Sequence, residues 1–549
     1  MTPELFRQLT QELYDRLSIK GVEPFRLSAY ERLAKAAESL PDTAFQNSQT
    51  LLTALKAYPG IGTGLLTLAQ SLYETGTAPL LEELRTEIPE SVLEMLHIGG
   101  LGPKRVHQIW YDLRIPSPEK LLEAIERGKL SKLKGWGPAT LKRIEENVRQ
   151  YLATRHLLLY YEAALLWESL LKMVGELRGF LYPLGEFRRA LPLMERVEGG
   201  ILFSQWERVA SLLSSQAAIS PEKIELMGGK VVLYPVKDEE LGWALIEKTG
   251  PAGFVESLRG RLGEKAAWGG LSEEEIFKLA RLPYILPQWR DWEDILLLAE
   301  EGRLPEPLEL SRIQGTVHVH TTYSDGADTL EAMAEAAQQM GWRYLGIADH
   351  SARAAYAGGL SPQTLLAQGE AIDALNARYG GAFTLLHGVE ADILPDGEID
   401  YDEAIWQKLD YLVASVHEKL QMDRAEATAR LLRAVANPYV RVLGHWTGRL
   451  LRGRHGYPID EEAILDACAA HKVAIEFNGN PHRMEIDWRW VRRAAEKGIS
   501  IVLTTDAHST RELQYLHYAL PVLQKGLLPP HLFLNYQGPE VFKTKSKRV

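Results

Sequence analysis

Nine histidine, aspartate and glutamate side chains in the C-terminal part of the sequence stand at comparable places, each at or just beyond the end of a short apolar run. They are His318, His320, Asp325, His350, Glu390, His417, His445, Asp506 and His508. In "GTVHVHTTYSDGADT" the two imidazoles are two residues apart, so on a strand they point to one side, and Asp325 follows in the turn. Burying so many ionisable groups unpaired costs several kcal/mol apiece, so shared cations are expected. Nitrogen and oxygen donors without thiolate suit Mn²⁺, Zn²⁺ or Fe²⁺ better than Ca²⁺. Nine donors exceed the needs of one ion, so two or three ions are expected, with Glu390 and Asp506 as bridges. Such a centre activates a water and clamps the attacking and leaving oxygens of a phosphoryl transfer. No catalytic side chain beyond the ligands is expected.

The elements that must position these groups are legible from Ile313 onward. "TVHVH", "YLGIADH", "FTLLHGVEADI", "YLVASVH", "RVLGHW", "KVAIEFN" and "SIVLTTDAH" read as strands separated by amphipathic helices. That alternation predicts a parallel α/β barrel with its site at the C-terminal strand ends. Every run except the sixth ends in a metal-type side chain. Upstream, to about Arg155, the pattern is helical and is interrupted by three Gly-x-Gly turns: Gly60 with Gly62, Gly100 with Gly102, and Gly135 with Gly137. Each precedes a helix, a geometry that aims backbone N–H groups at phosphate. Lys104 with Arg105 and Lys142 with Arg143 trail two of them, so non-sequence-specific contacts to a DNA backbone are expected. Residues 156–300 mix helices with strands such as "GGILF" and "KVVLYPV". The stretch "EEGRLPEPLELSR" reads as a linker.

The 549 residues suffice for several domains, and 46% hydrophobic with 25% charged residues is an ordinary globular composition. A net charge of −11 argues against holding nucleic acid by bulk electrostatics, so local contacts must do so. The single cysteine, Cys468, excludes intrachain disulfides and cysteine-rich zinc sites. With no signal-like or membrane-length apolar run, a cytoplasmic monomer is expected.

The motifs "HVHTTYSDG", "ADHS", "HGVEADIL", "SVHEKL", "GHWTGRLL", "FNGNPHR" and "TTDAHS" resemble those of the polymerase and histidinol phosphatase (PHP) domain. More narrowly, "KGVEPFRLSAYERLAKAAESL", "APLLEELRTEIPESVLEMLHIGGLGPKRV" and "LSEEEIFKLARLPYILPQWRD" are similar to N-terminal and thumb segments of bacterial X-family DNA polymerases. The resemblance implies a multidomain chain. It comprises a helical N-terminal domain with the first helix-hairpin-helix (1–80), a further helix-hairpin-helix region (81–155), and a degenerate α+β palm and thumb (156–300). A linker (301–312), a distorted (β/α)7 PHP barrel (313–535) and a basic tail (536–549) follow. It also implies a Mn²⁺-dependent 3′→5′ exonuclease or 3′-end-processing phosphoesterase in DNA repair, with Arg449 and Arg483 in loops that could hold substrate phosphate. Two departures stand out. Where the family's palm carries three aspartates, Arg196, Glu198 and Val232 stand here, although Gly185, Arg188 and Arg189 keep the frame and Glu186 replaces its serine. Where its lyase carries a Schiff-base lysine, Leu68 stands. Polymerase and lyase activities are therefore expected to be lost. The rival readings are a phosphatase on a small phosphomonoester and a non-catalytic DNA-binding scaffold with a structural metal cluster.

Overall fold

The computed structural model describes residues 1–262 and 268–543, so the last six residues of the expected basic tail, from 544, lie outside the described residues. Helix Pro3–Lys20 shows how the N-terminal region folds. Thr2 caps it through Leu5 N–H, proline opens the first turn, and Gly21, left-handed at φ 79°, ends it. Its Phe6, Leu9, Leu13 and Leu17, three or four residues apart, share a face and are buried with Leu33, Leu51, Leu55, Leu72 and Leu81 in one core. A second core runs from Ile88 to Tyr151 and includes helix Pro138–Thr154. At all three glycine turns the first glycine is left-handed (Gly60 φ 83°, Gly100 φ 89°, Gly135 φ 88°). The second glycine of each is the N-cap of the next helix.

Among its described residues the middle of the chain holds seven strands, β1 (Leu158–Leu159), β2 (Leu181–Leu184), β3 (Leu193–Met194), β4 (Val197–Leu202), β5 (Ala217–Ile219), β6 (Ile224–Leu226) and β7 (Val231–Val236). β1 pairs with β3, and the others form a mixed sheet in the order β2-β4-β7-β6-β5. The expected strands "GGILF" and "KVVLYPV" are β4 and β7, paired in parallel. A core from Leu158 to Leu233 packs on this sheet, and a further helical core spans Trp243 to Ala299.

The barrel strands are β8 (Gly315–Val319), β9 (Tyr344–Ile347), β10 (Thr384–Asp392), β11 (Tyr411–Ser415), β12 (Val440–Leu443), β13 (Ala474–Asn478) and β14 (Ile501–Thr504). All seven are parallel and lie in chain order. A parallel bridge from Val319 to Ala507, with Thr316 Oγ1 donating to Leu503 O at 2.7 Å, brings β14 back to β8. Because both faces are covered, the strands are buried throughout and read as continuous apolar runs. Phe542, within the segment expected as a tail, closes the barrel floor beneath Val317, Tyr344 and Tyr411.

The helical N-terminal region lies against the barrel mouth. Gly99 N–H donates to Gly453 O at 2.9 Å, and Asn147 Nδ2 donates to Gly99 O at 2.7 Å. The Arg452 guanidinium donates to Leu157 O and to both oxygens of Glu162. On the other flank Arg511 pairs with Glu38 and Glu4. Among the described residues no helix is long and apolar enough to cross a membrane.

Candidate metal centre

β8 delivers the first two imidazoles, though not by simple alternation. Its register with β9 shifts between Thr316 and Val319, and His318 adopts φ 64°, a left-handed conformation costly for a non-glycine residue. The His318 and His320 rings nonetheless meet, with centroids 5.4 Å apart. Asp349, at the end of β9, folds the following turn by accepting Thr321 N–H at 2.8 Å, Thr321 Oγ1 at 2.7 Å and the Ser324 hydroxyl. That turn needs Gly326, where a β-carbon would sit 2.7 Å from the Thr321 backbone. It swings Asp325 back over the barrel, 3.3 Å from His508 and 3.6 Å from His350.

The structure brings all nine expected side chains together. Four overlapping groups, each with ligand atoms within 4.8 Å of one another, are His320–Asp325–His350–His508, His318–His320–Asp506, His318–Glu390–His445 and His350–Glu390–His417. Glu390 stands at the centre, 2.8 Å from His445, 2.9 Å from His350, 3.1 Å from His417 and 3.2 Å from His318. Asp506, also left-handed at φ 53°, belongs to one group.

The electrostatics are those of a site built for cations. Burial alone favours a protonated Glu390, but His417, His318 and His350 hold it well below the usual carboxylate range. Burial likewise opposes ionisation of Asp506, and His318 and His320 outweigh it. Burial together with His508 and His350 pushes His320 down to about 4, leaving it neutral and able to ligate. His318 Nε2, His320 Nδ1, His350 Nδ1, His445 Nδ1 and Glu390 Oε2 are buried without a well-directed hydrogen bond, His350 Nδ1 and Glu390 Oε2 meeting each other only as an ion-pair contact at 2.9 Å. Orphaned buried polar atoms are rare in folded proteins, and five at one barrel mouth fit divalent ions as their missing partners.

Several residues escaped the sequence reading. The sixth strand supplies Glu476, fully buried, which contacts His318 Nδ1 and Thr504 Oγ1 through Oε1 and His445 N–H and Asn478 Nδ2 through Oε2. A carboxylate inside the apolar run "VAIEF" was the available signal. Asp392 contacts His417 Nδ1 at 3.1 Å. Of the two arginines, Arg483 reaches the cluster, its Nε 3.5 Å from Asp506 Oδ2. Arg449 turns instead to Asp487 at 3.0 Å and to the backbone of Arg483 and Met484.

The remaining expected positions lie outside the cluster. Gly100 and Arg105 adjoin Arg143, and Gly100, Lys142 and Arg143 border a cavity beside the barrel loops, while Gly102 caps the short helix that carries Lys104 and Arg105. Gly60 packs instead on Arg32, and Gly62 caps the helix that carries Leu68. Glu198 on β4 is the Cα partner of Val232 on β7, and Arg196 lies at the surface beside Glu195.

Comparison with known proteins agrees with this architecture. Residues 316–480 match the family described as "PHP domain". The chain is 28% identical to the "DNA polymerase/3'-5' exonuclease PolX" of Bacillus subtilis, over 94% of this chain and 95% of that one. It is also 32% identical to a "Probable phosphatase" of Aliivibrio fischeri, over 38% of this chain and 83% of the relative. A "Probable phosphatase" of Caldanaerobacter subterraneus matches at 31% over 30% of this chain and 68% of its own length. Near-full-length likeness to the polymerase/exonuclease and a histidine-rich, parallel seven-stranded barrel make the chain one that carries a C-terminal PHP domain and resembles, over almost its whole length, the bacterial X-family DNA polymerases.

Proposed function

We propose that this protein is a metal-dependent phosphoesterase acting on DNA 3′ ends, as a 3′→5′ exonuclease or end-processing nuclease in repair, and that it has lost polymerase and lyase chemistry. The observation that carries the proposal is the convergence of nine side chains in four overlapping ligand groups at one barrel mouth. His318, His320, Asp325, His350, Glu390, His417, His445, Asp506 and His508 would hold two or three ions, Mn²⁺ for activity, with Zn²⁺ or Fe²⁺ able to occupy the same donors. When bound, such ions supply an activated water and neutralise charge at phosphorus. The protein's own groups set the geometry. Glu476 takes the Nδ1 proton of His318, leaving Nε2 for the centre, and Asp392 does the same for His417. Arg483, loosely held by Asp506 at 3.5 Å and Glu485 at 3.3 Å, is free to turn to a phosphate oxygen.

The mixed sheet supports the loss of nucleotidyl transfer. Glu198 and Val232 face each other across β4 and β7, as the second and third acidic positions of a two-metal palm must. With Arg196 at the first position, one carboxylate stands where the clamp needs three. The Arg188 guanidinium is paired with Glu273 and that of Arg189 with Asp291, so neither is free for a triphosphate. Leu68 packs against the N-terminal core, and helix Thr63–Thr75 contains no lysine. We read the three glycine turns as helix-hairpin-helix motifs, with Lys104, Arg105, Lys142 and Arg143 on the DNA backbone. The separate hydrophobic cores support the domain division given by the sequence.

The test is incubation with Mn²⁺ and a 3′-recessed duplex, with and without nucleotides, beside a His318→Ala, His320→Ala double variant. Primer shortening that the variant abolishes, with no extension by either protein, is expected. Extension by the parent refutes the loss of polymerase activity. Inertness on DNA with turnover of a phosphomonoester transfers the site to the phosphatase reading, which the shorter relatives favour.

A further inference from the structure

The loops that follow His417 and His445 also wall a second site. Residues 420–423 and 454–458, with Gly448, line a cavity of about 510 Å³ whose opposite side is Gly99, Gly100 and the first turns of helix Pro138–Thr154. Gln421 Nε2 bridges the two sides by donating to Thr140 Oγ1 at 3.3 Å. Arg143 and Arg454 line it together with Lys142, and Arg105 stands beside it, behind Gly100 and over the Trp136 ring. A β-carbon on Gly100 would lie 3.4 Å from Arg143 Nη2 and 3.9 Å from Arg105 Nη1, and one on Gly99 would lie 2.6 Å from Arg454 Cβ.

These arginines are poorly compensated. Arg105 donates to Gly100 O and Arg454 to Gly448 O, while Arg143 Nε is buried without a partner. Among the described residues none of the three forms an ion pair. Burial and the neighbouring Arg483 and Arg143 push Arg454 down to about 10. The wall's carboxylates are Glu146 and Asp423, and Asp423 is occupied in capping its own helix. Like charges gathered in a half-buried cavity of an acidic protein are stabilised by an anion. Arg454 leads on to Arg483, and Arg483 to Asp506 in the metal centre. The opposite flank is unlike it: a cavity of about 730 Å³ beside Asp325 and His508 sets Glu4, Glu12, Asp15, Glu38 and Glu90 against Arg7 and Lys35, so carboxylates outnumber cations there.

We propose that the cavity lined by Arg143 and Arg454 is a second phosphate site, which holds an internal phosphodiester of a nucleic-acid strand whose end lies at the metal centre. The substrate is then a polynucleotide, held jointly by the N-terminal region and a barrel loop and entering from the arginine flank. This rests on the reading of the barrel as a nucleic-acid phosphoesterase.

Binding can be read without turnover. The full chain, stripped with chelator, is titrated into a fluorescein-labelled single-stranded oligonucleotide at several salt concentrations, for the parent, Arg143→Gln, Arg143→Lys and Arg454→Gln. Each glutamine variant is expected to bind at least fivefold more weakly and to lower the log K against log salt slope by about one contact. Arg143→Lys should retain most of the affinity, and unfolding midpoints report whether each variant is folded. With Mn²⁺ restored, the glutamine variants should lose at least fivefold more kcat/KM on the oligonucleotide than on bis(p-nitrophenyl) phosphate. Parent-like affinity and salt slope in folded glutamine variants overturn the proposal. So does a cavity that loses inorganic pyrophosphate in these variants while the oligonucleotide stays bound, which would mark a free-anion site. A parent that binds the oligonucleotide through these arginines but hydrolyses neither substrate leaves the cavity standing and refutes the barrel reading.

Discussion

Glu476→Gln isolates the role of a group that keeps its volume and loses only its charge and one acceptor. The two Glu476 oxygens face four donors: His318 Nδ1 and Thr504 Oγ1 on one, His445 N–H and Asn478 Nδ2 at 3.3 Å on the other. If the new amide NH₂ replaces Oε2, it opposes the His445 backbone N–H, which cannot adapt, at a cost of about 1–3 kcal/mol. If it replaces Oε1, Thr504 can rotate, but His318 must accept at Nδ1 and move its proton to Nε2, the atom that faces Glu390 at 3.2 Å. The second arrangement costs less in the metal-free protein and spoils the ligand. Loss of such an orienting partner weakens metal binding roughly 10–100-fold. That corresponds to about 1.4–2.7 kcal/mol less stabilisation at saturating Mn²⁺. Titration calorimetry with Mn²⁺, with thermal unfolding in chelator and in excess metal, measures both quantities. A Gln variant that binds Mn²⁺ within twofold of the parent would show that Glu476 is a packing residue, and the tautomer argument would fail.

Metal binding should release protons. Burial opposes protonation of His350, His417 and His508, but Glu390 and Asp325 raise His350 to about 11, Glu390 and Asp392 raise His417 to about 9, and Asp325 and Asp506 raise His508 to about 9. In the metal-free protein the stability these protons contribute is complete below the ordinary histidine range and is lost as pH rises through about 9 for His417 and His508 and through about 11 for His350. Mn²⁺ affinity should therefore rise with pH through about 9 and on toward about 11, with proton release visible by calorimetry in buffers of different ionisation enthalpy; pH-independent affinity would contradict this. Gly99→Ala should loosen the N-terminal region from the barrel, because its β-carbon would lie 2.6 Å from Arg454 Cβ and 3.0 Å from Asn147 Nδ2. A loss of about 1–3 kcal/mol and faster proteolysis within residues 1–155 are expected, and a parent-like melting curve and digest would refute the tight approach.

The sequence alone carried the barrel and the cluster, because a parallel sheet buried on both faces writes itself as separate apolar runs and an ionisable residue at each run's end interrupts that pattern. Seven runs became β8 to β14, and the nine side chains picked out at their ends meet at one mouth. Charge and cysteine content are likewise properties of composition. What the chain order could not specify was decided by contacts between distant segments. His318 reaches the site through a left-handed backbone and a register shift. Glu476 looked like one more residue of an apolar strand until the closed barrel set it against His318, 158 positions away. Arg449 and Arg483 looked alike in sequence, and only packing against Asp487 turned the first away while the second met Asp506. The cavity lined by Arg143 and Arg454 lies between two remote segments that meet where Gly453 O accepts Gly99 N–H across more than three hundred residues. Local periodicity fixes which residues face a core, whereas the partners of a buried charge depend on which remote surfaces the fold brings into contact.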